Sequence, residues 1–244
     1  MIDHVHLLSG GLDSAISAYK YASASDRLVA LSVQLNSDKK KSGSFELKFA
    51  ESICEELSIR HHVLDISAVS QLISLIGNPR VTMGFGGQIN NCGDDPMNAS
   101  GSAEWYGRVP LSVELLHMVG GLVAIAENAT KLVWSLHRDD FTPAFGREET
   151  LRYKEKFEEL VSFTTGRSVV LETPFLDFFK SDILRMGADL GFPFDRTWSC
   201  SNGSLERHCG ECRQCVKRKI AFQQAGISDP TEYTSVGISV GLAA

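Results

Sequence analysis

The chain has no long apolar run and no excess of positive charge. Nothing in its 244 residues reaches the ~18 consecutive apolar positions of a membrane span, and no charged N-terminal stretch leads into a signal core. Lys and Arg number 24 against 30 Asp and Glu, a formal net charge of −6, which speaks against a broad nucleic-acid footprint. No internal repeat is present. These absences point to a cytoplasmic protein, where thiols stay reduced. Its six cysteines are then metal ligands or unpaired core residues. Hydrophobic content of 43% supports one large domain, or a domain with a small appendage.

What is present is organised around Ser9-Gly10-Gly11-Leu12-Asp13-Ser14. The stretch follows a short apolar run (Val5, Leu7, Leu8) and opens a segment of helical spacing, Asp13 to Tyr21. Glycines let the backbone approach a phosphate, and the free N–H groups of a helix's first turn point at it. Ser9 and Ser14 add hydroxyl donors; Asp13 either caps the helix or holds a hydrated Mg²⁺. Neither the G-x-G-x-x-G nor the G-x-x-x-x-G-K-[ST] fingerprint applies to this loop. It resembles the S-G-G-x-D-S signature of the PP-loop ATP pyrophosphatases, which grip a β,γ-pyrophosphate and adenylate a substrate oxygen. That resemblance implies an ATP site at Leu8, Ser9, Gly10, Gly11, Leu12, Asp13 and Ser14, with Mg²⁺.

Strand and helix patterns alternate along the chain. Leu28–Leu35, His62–Ile66, Lys131–Leu136 and Ser168–Glu172 read as strands. Phe45–Leu57, Ser67–Ile76, Leu111–Asn128, Thr150–Phe163 and Ser181–Leu190 read as helices, with Leu111–Asn128 apolar all round and expected to be buried and Ser181 expected to cap its helix. The expected fold is α/β, a doubly wound, mainly parallel sheet of PP-loop, Rossmann-like type. Residues 77–108 break the pattern with Gly84-Phe85-Gly86-Gly87 and Gly93-Asp94-Asp95-Pro96, as a lid, binding loop or disordered stretch does. Lys39-Lys40-Lys41 sits in a polar loop that is either simply solvated or faces phosphate. His137–Arg147 is a polar, aromatic loop at the carboxyl end of a strand, where open α/β sheets bind ligands.

Cys200, Cys209, Cys212 and Cys215 form C-x8-C-x2-C-x2-C. Four thiolates this close suit one tetrahedral Zn²⁺ with no open position, hence a structural site. A redox pair or free thiols are the alternatives. The division expected is a 1–195 ATP-binding body and a 196–244 zinc segment. Cys54 falls on a helix and reads as core; Cys92 lies in the irregular loop, where a reactive role stays open.

The two end motifs together resemble the 7-cyano-7-deazaguanine synthase family (QueC). The likeness runs through Thr173-Pro174-Phe175-Leu176, Lys180, Leu190-Gly191-Phe192-Pro193, Thr197-Trp198-Ser199-Cys200 and Cys209-Gly210-Glu211-Cys212-Arg213-Gln214-Cys215 to Arg218 and Ala221-Phe222. It implies ATP-dependent activation of 7-carboxy-7-deazaguanine, displacement of AMP by ammonia, and dehydration of the amide to the nitrile. It also implies two catalytic residues, Asp13 and, as a balance for phosphate charge, Lys180, the alternative for Lys180 being a surface lysine at a helix entry. The family further implies a homodimer.

The middle of the chain departs from the family. Leu35-Asn36-Ser37-Asp38 stands where glycine-glutamine-arginine-histidine is usual, and Ser112-Val113 replaces an arginine-asparagine pair. Phe141-Thr142-Pro143-Ala144-Phe145-Gly146-Arg147 stands in for the segment that helps form the base pocket. If the pocket keeps a deazapurine carboxylate, Phe141, Phe145, Trp105 and Tyr106 are the aromatics available for stacking. Arg138 or Arg147 would meet a carboxylate or phosphate, and Asp139 or Asp140 the guanine-like donors. Altered substrate positions beside intact activation machinery suit a specialised paralogue. The resemblance extends to QueC-like proteins of bacterial antiphage operons, some of which couple a deazaguanine to a protein amine. A PP-loop enzyme acting on tRNA and a non-catalytic nucleotide-binding module are further alternatives.

Overall fold

A computed structural model describes residues 2–24, 27–34, 42–66, 68, 112–141, 145–201 and 206–234. Expectations for 35–41, for nearly all of 67–111 (with Cys92, Trp105 and Tyr106) and for 142–144 lie outside them.

Five strands form one parallel sheet: β1 (His4–Leu7), β2 (Leu28–Gln34), β3 (Arg60–Asp65), β4 (Lys131–Val133) and β5 (Val170–Glu172), in the order β3-β2-β1-β4-β5. Strands buried on both faces need apolar residues on both, which is why they read as runs rather than alternations. Val5 and Leu7 face a core completed by α3 (Ser112–Ala126) and α4 (Arg147–Thr165), through Ala124, Phe157 and Val161. The opposite face carries α1 (Leu12–Ser23), α2 (Ser42–Leu57), α5 (Lys180–Asp189) and α6 (Arg213–Ala225), packed through Ile16, Ile53, Ile183 and Phe222. The expected doubly wound α/β architecture is therefore present. The order of strands reverses at the β1/β4 pair, and the loops leaving those two carboxyl ends open onto the crevice where such sheets bind ligands.

Several local expectations are corrected. β4 stops at Val133 and β5 starts at Val170, so both strands are shorter than their apolar runs. Ser181 does not cap α5; it is buried inside the first turn, and Asp182 Oδ2 accepts the Phe179 N–H at 3.1 Å instead. A carboxylate at the third helical position reaches back where the serine at the second cannot. α3 is not wholly buried, since Leu122 is 63% exposed. Its inner side lies close to the sheet because Gly120 is bare: a Cβ there would come within 2.7 Å of Leu132.

The C-terminal segment does not stand apart from the body. Ala221 and Phe222 of α6 join the core of α1 and α5. Arg218, fully buried, donates to Thr197 Oγ1 (2.8 Å), Ser199 Oγ (3.1 Å) and the Phe194 carbonyl (2.8 Å). Asp229 lies 3.4 Å from its Nε.

Candidate functional site

The loop between β1 and α1 is shaped by one left-handed residue. Gly10 has φ +77°, and a Cβ on it would sit 2.1 Å from the Glu46 carbonyl oxygen of α2. Only glycine fits. Ser9 Oγ accepts the Gly11 N–H at 3.3 Å and lies 3.1 Å from Ser14 Oγ, which in turn accepts the Ser9 N–H at 3.2 Å. Leu8 is held at the loop's entrance, its N–H bonded to the Leu31 carbonyl and its own carbonyl accepting from Ser32 Oγ at 2.6 Å. The turn is thus set before any ligand arrives, and the leading N–H groups of α1 have no acceptor inside the helix.

Asp13 is not the cap of α1; Gly11 holds that position without a side-chain bond. Its carboxylate turns instead to Lys180, whose Nζ donates to Asp13 Oδ2 at 2.7 Å from the start of α5. Two residues 167 positions apart in sequence, read separately as catalytic, form one ion pair at the loop. Burial opposes ionisation of Asp13, but the Lys180 ammonium and the neighbouring His137 outweigh it and hold the acid well below the usual carboxylate range. Asp13 Oδ1 is buried and has no hydrogen-bond partner among the described residues. A buried anionic oxygen without a partner, beside the phosphate loop, fits Mg²⁺ accompanying a polyphosphate.

The turn Arg138–Asp140 after β4 brings in more charge. It docks on the entry to α5 through Arg138 N–H to the Phe178 carbonyl (2.9 Å) and Lys180 N–H to Asp139 Oδ2 (2.7 Å). His137, 4% exposed, lies among three carboxylates. Its Nε2 is 3.3 Å from Asp140 Oδ2 and 3.6 Å from Asp13 Oδ2, and its Nδ1 is 3.7 Å from Asp139 Oδ2. From α6, half-buried Lys217 faces Asp139, Asp140 and Lys180; burial and the nearby Arg213 lower its pKa. Neither His137 nor Lys217 stood out in the sequence. The signal for His137 was its place, at the carboxyl end of the strand beside β1.

The expected substrate residues divide. Asp139 and Asp140 reach the Asp13–Lys180 pair through His137. Arg138 lies outside with its guanidinium over the Phe179 ring at 4.4 Å. Phe145 is 6% exposed and packs with Leu136 and Leu176, Phe141 against the same cluster, so Phe145 packs the loop rather than offering a free stacking face. Arg147 is exposed and engaged with Asp177 Oδ1 at 2.7 Å. That partner, thirty residues on, was not visible from the loop's own sequence.

The four cysteines converge as their spacing requires. All four sulfurs lie within 4.8 Å of one another, with Cys209–Cys215 at 3.9 Å and Cys200–Cys212 at 4.0 Å. Tetrahedral zinc with Zn–S near 2.3 Å needs edges of about 3.8 Å. Backbone N–H groups of Cys209 and Cys212 point at Cys200 Sγ and Cys209 Sγ, both at 3.3 Å, as donors to thiolates do. The donor set fits a structural zinc. The segment is also wired to the phosphate loop: Trp198 N–H donates to the Gly10 carbonyl at 2.9 Å, and the Trp198 indole N–H to the Cys200 carbonyl at 2.7 Å. Cys54 is buried core, as expected.

The sequence profile of the family described as "Queuosine biosynthesis protein QueC" matches residues 3–226. The chain belongs to the QueC family. Among curated QueC relatives, it is similar to the 7-cyano-7-deazaguanine synthase of Porphyromonas gingivalis, 29% identical over 231 residues, covering 95% of this chain and 97% of that protein. The proteins of the same name from Caldicellulosiruptor bescii (30% identical; 94% and 96% covered) and Rhizobium johnstonii (31%; 92% and 89%) are similar to it over nearly their whole lengths. QueC membership thus spans the phosphate loop, Lys180 and the four cysteines together.

Proposed function

We propose that the protein is a 7-cyano-7-deazaguanine synthase: it activates 7-carboxy-7-deazaguanine with ATP and converts it, with ammonia, to the nitrile. The observation that carries this is the Asp13–Lys180 ion pair at a preset phosphate loop, in a chain whose full-length relatives bear that name. A carboxylate is a poor electrophile, and AMP as leaving group removes that obstacle without a protein nucleophile. Gly10, Gly11 and the first turn of α1 take the pyrophosphate through N–H groups, and Ser9 and Ser14 add hydroxyls. Asp13 holds Mg²⁺, and Lys180 balances the charge that builds on the departing phosphates. Because these groups are already in position, little reorganisation accompanies the transfer.

The Cys200–Cys215 zinc takes no part in the chemistry and braces the 196–244 segment against the 1–195 body. We take the protein as a cytoplasmic homodimer; Leu122 of α3 and Leu160 and Phe163 of α4 are apolar side chains left exposed for such a contact. No helix among the described residues is long and apolar enough to cross a membrane.

The test is incubation with 7-carboxy-7-deazaguanine, Mg-ATP and ammonium, with products read by mass spectrometry. Amide and then nitrile are expected, with AMP and pyrophosphate released. ATP bound but no adenylate formed from this carboxylate overturns the assignment. An adenylate that ignores ammonia and transfers to a protein amine overturns the acceptor.

A further inference from the structure

His137 has so far served only as a neighbour that helps Lys180 keep Asp13 ionised, and its surroundings are unusual for a buried ring. It is 4% exposed, yet its Nδ1 is a buried atom with no hydrogen-bond partner among the described residues. With the ring proton on Nε2, toward Asp140, Nδ1 carries the lone pair, and a buried lone pair beside a reactive site suits a visiting donor. The charged groups that face it are Asp13 from α1, Asp139 and Asp140 from its own turn, Lys180 from α5 beyond Asp13, and Lys217 from α6 beyond Asp139 and Asp140. Three carboxylates against the ammonium groups of Lys180 and Lys217 leave the surroundings of the ring net negative, a few ångströms from the phosphate loop. A small cationic donor of protons suits these surroundings.

The proposed reaction needs one. Near neutral pH its nitrogen source is chiefly the ammonium ion, which has no lone pair and cannot attack a carbonyl. Resting on the synthase assignment, we propose that the His137–Asp139–Asp140 cluster binds this ammonium ion and that His137 Nδ1 takes its proton. The ion gives one proton to Nδ1 and becomes ammonia, with Asp139 holding another N–H. The nitrogen lone pair then forms the C–N bond at the activated carboxyl carbon. The carbon–oxygen bond to AMP breaks, and its electron pair leaves on the phosphate oxygen. Nitrogen sheds a second proton to give the neutral amide. His137 accepts this one too, having passed the first to Asp139 or Asp140, whose side chains are 42% and 41% exposed and hand it to water. The positive charge on the ring between these events is met by the same carboxylates.

Adenylation consumes no ammonium, so the two half-reactions separate the roles. The experiment measures carboxylate-dependent ATP–pyrophosphate exchange and amide formation in parallel, for the wild type, His137→Gln, Asp139→Asn and Asp140→Asn. Because Lys180 still pairs with Asp13 at 2.7 Å, His137→Gln should keep exchange to within a few-fold and lose ~100-fold or more in amide formation, the usual range for a missing proton acceptor. Hydroxylamine, a nucleophile that arrives with its lone pair free, should restore most of that loss. Asp139→Asn and Asp140→Asn should raise the KM for ammonium more than they lower kcat. Wild-type ammonium kinetics in a folded His137→Gln protein overturn the inference. So does an equal fall in exchange and amide formation, which would make His137 part of the phosphate site. If His137→Gln does not fold, unchanged KM values for ammonium in both carboxylate variants overturn it independently. A wild type without exchange defeats the synthase assignment itself, a result distinct from all of these.

Discussion

At Asp13, burial and ion pairing pull in opposite directions, and the pairing wins because Lys180 lies 2.7 Å away. Asp13→Ala is expected to weaken ATP binding at least tenfold, about 1.4 kcal/mol, and to abolish AMP release. Calorimetric titration with ATP and an AMP assay check both, and unchanged AMP release would remove Asp13 from the mechanism. The fold should survive, since Lys180 keeps a route to solvent. Gly10 behaves differently. Its φ of +77° and the Glu46 carbonyl 2.1 Å from any added Cβ leave alanine no room, and the obstacle is backbone rather than a movable side chain. Gly10→Ala should lower the melting temperature by several degrees, given ~2–4 °C per kcal/mol in a domain of this size. It should lose ATP binding as well.

Elements were legible where their physics is local. Buried parallel strands write themselves as runs such as LVALSVQ, and the phosphate loop as glycines between a strand and a helix. The C-terminal helix α6 carries no such signature, because its buried face is Cys215, Arg218, Ala221 and Phe222. A buried arginine interrupts the apolar period, and only its bonds to Thr197, Ser199 and Phe194 make sense of it. The ammonium cluster was half legible: Asp139 and Asp140 were in view, but their convergence on His137 and Asp13 depends on how β4 ends beside β1. For the cysteine centre, spacing sufficed, because a chelate is a local constraint. Cys212→Ser should drop metal content well below one zinc per chain by elemental analysis. It should also lower the melting temperature markedly, since structural zinc contributes on the order of 10 kcal/mol to folding. Full zinc content in that variant would rule out the four-thiolate site.

For the molecule as a whole, two buried imidazoles set an acid limit. His6, on β1 against the Tyr21 ring, and His117, on α3 bonded to the Tyr153 hydroxyl at 2.7 Å, are both pushed down to about 3 by burial. Their folded pKa values lie below the ordinary value of 6.5, so the unfolded chain binds more protons between the two. Stability is thus full above pH ~6.5 and falls as pH drops toward 3, each ring contributing up to ~1.4 kcal/mol per pH unit. Chemical denaturation at a series of pH values checks this, and a His117→Gln protein should show a shallower slope. The hydrogen bond from Trp198 to Gly10 has a different consequence. It joins the cysteine-bearing segment to the phosphate loop, so occupancy of the two sites is expected to be thermodynamically linked. Linkage of this kind is reciprocal. Saturating Mg-ATP should tighten zinc binding, read by equilibrium competition with a chelator, by the same factor by which zinc tightens ATP binding. Zinc shortage would then show as weaker ATP binding together with a falling melting temperature.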